Sequence, residues 1–178
     1  GFGVRMANHD YVLPYTDEFA EGLPKHGLAC PPVRPGNRFP TTGELKVVLR
    51  GLSDLDVTFP EKGDYFRIHL SDGEWDSADI DGFDWSNDNA LPNEDLKHPS
   101  FRMRGPIEVE LSILKSIAAI CGQLVLYPDT GDPPVVVDQD MDVDRVAGVW
   151  TWASQPKQKD CWKKFSEFTA PGAPYPPP

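Results

Sequence analysis

Pro106-Ile107-Glu108-Val109-Glu110-Leu111-Ser112-Ile113-Leu114-Lys115-Ser116-Ile117-Ala118-Ala119-Ile120-Cys121, followed by Gly122-Gln123-Leu124-Val125-Leu126-Tyr127, is the stretch whose reading sets the fold. Proline pre-sets the backbone for a first helical turn, Glu108 and Glu110 favour the positive end of the helix dipole, and Gly122 supplies a stop. Ile107, Leu111, Leu114, Ala118 and Cys121 recur at three- and four-residue intervals, and Val109, Ile113, Ile117 and Ile120 widen the apolar stripe. A stripe that wide predicts a helix over 106–121 buried on more than one side.

Downstream, 123–127 and Pro134-Val135-Val136-Val137 are short apolar or β-branched runs on either side of Pro128-Asp129-Thr130-Gly131-Asp132-Pro133. They read as two strands joined by a turn-rich loop. Upstream, 44–52, 56–59, 65–70 and 101–104 carry enough alternation or β-branching to be read as strands. In Tyr65-Phe66-Arg67-Ile68-His69-Leu70 the residues Phe66, Ile68 and Leu70 share one face, which leaves His69 pointing outward. Thr16 to Glu21 reads as a short helix, and so does Asp160 to Phe168, with Trp162, Phe165 and Phe168 on one side. Pro24 to Pro40 reads as loop. The expected fold is therefore α+β: an antiparallel or mixed sheet packed against one long apolar helix and connected by long Pro/Gly-rich loops.

With 178 residues the chain suffices for one domain with a sizeable core. A single domain is expected over 1–170, followed by an extended or disordered tail, Pro171 to Pro178, which lacks backbone donors and a core pattern. No internal repeat is visible. Pro 19 and Gly 15 imply many turns. No run reaches the roughly 20 apolar residues that span a bilayer, and Gly1-Phe2-Gly3-Val4-Arg5-Met6 lacks the apolar centre of a signal peptide, so a soluble, cytoplasmic protein is expected. Cys30, Cys121 and Cys161 have neither Cys-x-x-Cys nor histidine at ligand spacing. They read as free thiols, with no metal and no cofactor implied.

Charge is the other strong signal. The net charge of -11 disfavours nucleic acid and anionic membranes, which would repel the chain, and favours a basic protein partner. Acidic residues crowd around aromatics in one belt: Asp72, Glu74, Trp75, Asp76, Asp79, Asp81, Phe83, Asp84, Trp85 and Asp88. Read as an exposed loop between strands, the belt would offer aromatics as anchors and carboxylates for steering. Neutralising its aspartates would then relieve self-repulsion.

Catalytic and metal readings of the same residues are weaker. Ser77, Asp79, Asp81, Gly82 and Asp88 fall at EF-hand spacing, but position one is serine, position twelve is a short aspartate, and the preceding segment reads as strand. Asp129-Thr130-Gly131 resembles the aspartic-protease triplet without a second copy and is ordinary turn chemistry. Asp79-Ile80-Asp81-Gly82-Phe83-Asp84-Trp85 resembles the acidic strand of chitinase-type glycosidases, whose barrel needs about 250 residues. His9, His26, His69 and His98 are scattered, and no Gly-x-Ser-x-Gly or phosphate-cradling loop is present.

The unit from Ile107 to Asp138, a helix running into glycine and then strand, turn and strand, resembles immunity proteins of bacterial polymorphic toxin systems. The resemblance implies a toxin-neutralising binding protein whose acidic surface occludes a basic toxin domain. The alternatives are a small hydrolase or carbohydrate-binding module using the Asp/Trp belt, and a phage or virus accessory protein.

Overall fold

The computed structural model describes residues 9–22, 31–52, 55–59, 67–71, 76–92 and 101–155. The expected helix over 160–168, the tail 171–178, Cys30, Cys161, His26, His98, Asp72, Glu74 and Trp75 lie outside the described residues. In chain order the elements are β1 (Asp10–Pro14), α1 (Asp17–Gly22), α2 (Thr42–Arg50), β2 (Asp56–Thr58), β3 (Arg67–Ser71), β4 (Asp76–Asp81), β5 (Phe101–Arg104), α3 (Ile107–Cys121), β6 (Leu124–Pro128), β7 (Val135–Val137) and α4 (Val143–Ala153).

The fold is α+β. One seven-stranded sheet runs in the order β2-β3-β4-β5-β1-β6-β7, and every pairing is antiparallel. Because strand side chains alternate, the register assigns each residue a face. Val12, Phe101, Met103, Ile80, Ala78, Leu70, Leu126 and Val137 lie buried on the face that joins the helices in one hydrophobic cluster. Arg102, Arg104, Asp79, Asp81, His69 and Tyr11 alternate with them and occupy the other face.

Helix α3 forms where its apolar stripe predicts. Leu111, Ile113, Leu114 and Ile117 are fully buried, each burial contributing about 1.5–3 kcal/mol. Its first turn is tied by the Pro106 carbonyl, which accepts from the Val109 and Glu110 amides. Gly122 ends it with φ +89°, and an added Cβ there would strike Asn37, so glycine is required twice over.

Two expectations need correction. First, α3 does not cover the sheet alone: it packs against both α2 and α4. Helix α4 is capped by the Asp142 side chain, which accepts from the Arg145 amide, and it buries Val146, Ala147, Val149, Trp150 and Ala153. Second, 44–52 is not a strand. Thr41 Oγ1 accepts from the Glu44 amide and Glu44 Oε1 accepts from the Thr41 amide, closing a capping box, and Leu45 and Leu49 enter the core one turn apart. Val47, which suggests strand alternation, is 66% exposed. Among the described residues no helix is long and apolar enough to cross a membrane.

Candidate functional site

The acidic belt is divided by the fold. Residues Asp76 to Asp81 form β4, an interior strand of the sheet between β3 and β5, so the expectation of a loop is corrected. Strand alternation sends Ile80 and Ala78 into the core and Asp79 and Asp81 to the opposite face. Basic side chains flank them from both neighbours. His69 Nδ1 donates to Asp79 Oδ1 at 2.8 Å from β3, and Arg102 Nε donates to Asp81 Oδ1 at 2.8 Å from β5. His9 Nε2 stands 3.9 Å from Asp81 Oδ2. The side chains of Asp79 and Asp81 are only 16% and 15% exposed, against 40% for His69 and 41% for Arg102. These carboxylates are the floor of a charge ladder, not a free acidic surface.

The aromatics are likewise redirected. Phe83 is fully buried and Trp85 nearly so. Phe83 lies between Trp85 and Phe101, with ring centroids 5.3 Å and 5.1 Å away. Neither ring can be an exposed anchor, nor can Trp85 stack on a sugar. The alternation of apolar residues that places them beside aspartates is the alternation that buries them.

Beyond Gly82 the chain leaves the sheet through a polar turn. Asp84 Oδ1 accepts from the Ser86 amide and hydroxyl, and Lys46 donates its ammonium to Asp88 at 2.8 Å and to the Trp85 carbonyl at 2.7 Å. Lys46 holds the exposed Asp88 carboxyl below its ordinary range. The same turn receives the start of α2: the Thr42 and Gly43 amides donate to the Ala90 and Asp88 carbonyls.

A second acidic region emerges from topology. Since every pairing is antiparallel, β1, β4 and β7 run in one direction and leave the sheet at the same end. Strand β1 leads to Asp17, Glu18 and Glu21, β4 leads to Asp84 and Asp88, and β7 leads to Asp138, Asp140, Asp142 and Asp144. Helix α3 also ends there, adding the negative pole of its dipole. Among the described residues, Asp17, Glu18, Glu21, Asp140 and Asp144 have no cation within ion-pair distance.

This end is held by a built frame. The Asn37 side chain donates to the Tyr15 carbonyl and to Gln123 Oε1 and accepts from the Gln123 amide, while Gln123 Oε1 also takes the Arg34 amide. Arg34 pairs with Asp138. Arg38 grips Glu44 with two bonds of 2.7 Å and holds its carboxyl down to about 2, with the Thr41 amide assisting. Loop 31–40, the end of α3 and the exit of β7 are thereby locked into one surface.

Of the belt residues, then, the fold brings Asp79 and Asp81 together with bases, sends Asp84 and Asp88 to the acidic end, and buries Phe83 and Trp85. Asp76 lies at the start of β4. Sequence reading misses the carboxylates of 17–21 and 138–144, although the alternation Asp138-Gln139-Asp140-Met141-Asp142-Val143-Asp144 is visible in it. An EF-hand cannot form where Asp79 and Asp81 are strand residues, and among the described residues no group of three His, Cys, Asp or Glu is placed to hold a metal. Asp129-Thr130-Gly131 turns between β6 and β7, with Gly131 at φ +82° and the Thr130 hydroxyl donating to Asp132 at 2.6 Å. Comparison with protein-family models, curated proteins and solved structures finds no match to this chain.

Proposed function

We propose that the chain is an acidic binding protein that docks a basic protein partner on the end of the sheet where β1, β4 and β7 exit. One observation carries the reading: three carboxylate-bearing segments distant in sequence leave the sheet at that one end, and most of their charges meet no cation among the described residues. Like charges gathered without neutralisation cost stability, and a complementary surface recovers that cost on docking while speeding encounter. The partner class is a protein with a basic cleft, such as a toxin domain that acts on nucleic acid, and neutralising such a toxin is the specific role proposed. In support, the helix–glycine–strand–turn–strand unit of immunity proteins corresponds here to α3, β6 and β7.

The test uses the product of the neighbouring reading frame as partner. Association would be followed at low and high salt for the wild type and for a variant carrying Glu18→Gln, Asp140→Asn and Asp144→Asn. The expected result is slower association for the variant, a smaller salt dependence and a melting temperature equal to or above that of the wild type. Association unaffected by either salt or these substitutions refutes the reading.

A further inference from the structure

On the face of the sheet away from the helices, Arg102 and Arg104 of β5 stand across from Asp81 and Asp79 of β4, so positive and negative charges balance locally in a chain of net charge -11. Arg102 and Arg104 stand two residues apart on that face of β5, a spacing of about 6–7 Å. Arg102 is anchored through Nε to Asp81, which leaves its two terminal nitrogens without a partner among the described residues. Arg104 has no carboxylate within ion-pair distance among the described residues, although Asp79 is its cross-strand neighbour. The cross-strand neighbour of Arg102 on β1 is Tyr11, a residue 37% exposed. Asp79 and Asp81 are the less exposed partners, so a guanidinium and a phenol ring are the more accessible groups of this patch.

We propose that this face binds a mononucleotide, with its phosphate held between Arg102 and Arg104 and its base stacked on Tyr11. A guanidinium fork matches phosphate oxygens, and the bond from Arg102 to Asp81 fixes the fork before the ligand arrives, so little side-chain freedom is lost on binding. A phenol ring beside the clamp offers the π-face on which any base stacks. The net charge decides between a single nucleotide and a strand. One phosphate held by two guanidinium groups is screened from the acidic end, because the Debye length is about 8 Å at physiological salt. A polynucleotide would carry further phosphates toward those carboxylates and be repelled.

The experiment titrates AMP into the full chain, followed by calorimetry and by amide chemical shifts, with adenosine and inorganic phosphate as one-part probes. AMP is expected to saturate in the millimolar range or below, with shifts centred on β1 and β5, and each one-part probe to bind about tenfold more weakly. Arg104→Gln, which breaks no ion pair of the described structure, should weaken AMP about tenfold at unchanged melting temperature. Tyr11→Ala should weaken AMP while leaving inorganic phosphate unaffected. Absence of binding at millimolar AMP, binding indifferent to Arg104→Gln, or a single-stranded oligonucleotide that binds more tightly than AMP through the same residues would each overturn the proposal.

Discussion

Replacing Asp79 and Asp81 together by Asn should destabilise the protein, the opposite of the effect expected from a self-repelling acidic belt. Each carboxylate accepts a 2.8 Å bond from a basic side chain on a neighbouring strand and is about five-sixths covered. A hydrogen bond to a charged group contributes about 1.5–3 kcal/mol, and an Asn oxygen preserves the geometry without the charge, so each site loses about half of that. Against this stands the repulsion between the two carboxylates, two residues and about 7 Å apart on one strand face, whose relief returns about 1 kcal/mol at a dielectric between that of a protein surface and that of water. The net loss is about 0.5–2 kcal/mol, or about 1–8 °C in melting temperature for a domain of this size. Urea and thermal melts of the double variant measure it, and Asp88→Asn on the exposed turn serves as a control expected to change little. A double-mutant cycle between Asp81→Asn and Arg102→Gln should show a coupling of about 1 kcal/mol or more. A double variant as stable as the wild type, with no coupling in that cycle, would mean that the ladder is not formed in solution.

The core and the frame lead to three further expected outcomes. Glu44 has its folded-state carboxyl held at about 2 against an ordinary 4.5, so its contribution is present above that ordinary value and is lost as pH falls toward 2. Because Glu44 and Arg38 are partly solvated the loss is about 1–2 kcal/mol, and urea melts of Glu44→Gln against wild type should differ at neutral pH and converge at acid pH. Leu114→Ala should cost about 2–5 kcal/mol in chemical denaturation, and a loss below about 0.5 kcal/mol would place that face of α3 in solvent. Burial pushes the Cys121 thiol up to about 12, so at mildly alkaline pH the native wild type and Cys121→Ser should show the same number of reactive thiols, with one more appearing in the wild type on unfolding.

The elements legible in the sequence are those in which one short-range signal dominates. Helix α3 has a wide apolar stripe and a glycine stop, β5 alternates Phe101 and Met103 with arginines, and β6 and β7 are short β-branched or apolar runs bounded by turn residues. Helix α2 reads as a strand because Val47 and Val48 suggest one, while the decisive signal, Thr41 three residues before Glu44, is a cap rather than a periodicity. Strand β4 is hidden for a different reason. Its outward residues are aspartates, poor strand formers whose cost is offset by His69 and Arg102, and those partners sit on strands about ten and twenty residues away in the chain.

Local acidity along the chain is thus a poor measure of acidity in space. Asp79 and Asp81 are hydrogen-bonded because an antiparallel sheet sets each interior strand between two others, and the neighbours of β4 carry the bases. At the end where β1 and β7 exit, the carboxylates that meet no cation among the described residues, Asp17, Glu18, Glu21, Asp140 and Asp144, follow a strand, where no cross-strand neighbour exists to supply one. In a sheet of alternating directions, every second strand discharges at the same end, so β1, β4 and β7 necessarily pool the residues that succeed them in the chain. Composition alone therefore cannot say whether a charge of -11 is spread or focused; strand order can. Here it separates an acidic end from a face on which acid and base are matched, and the two surfaces can be altered independently, Asp140 and Asp144 on one and Arg104 and Tyr11 on the other.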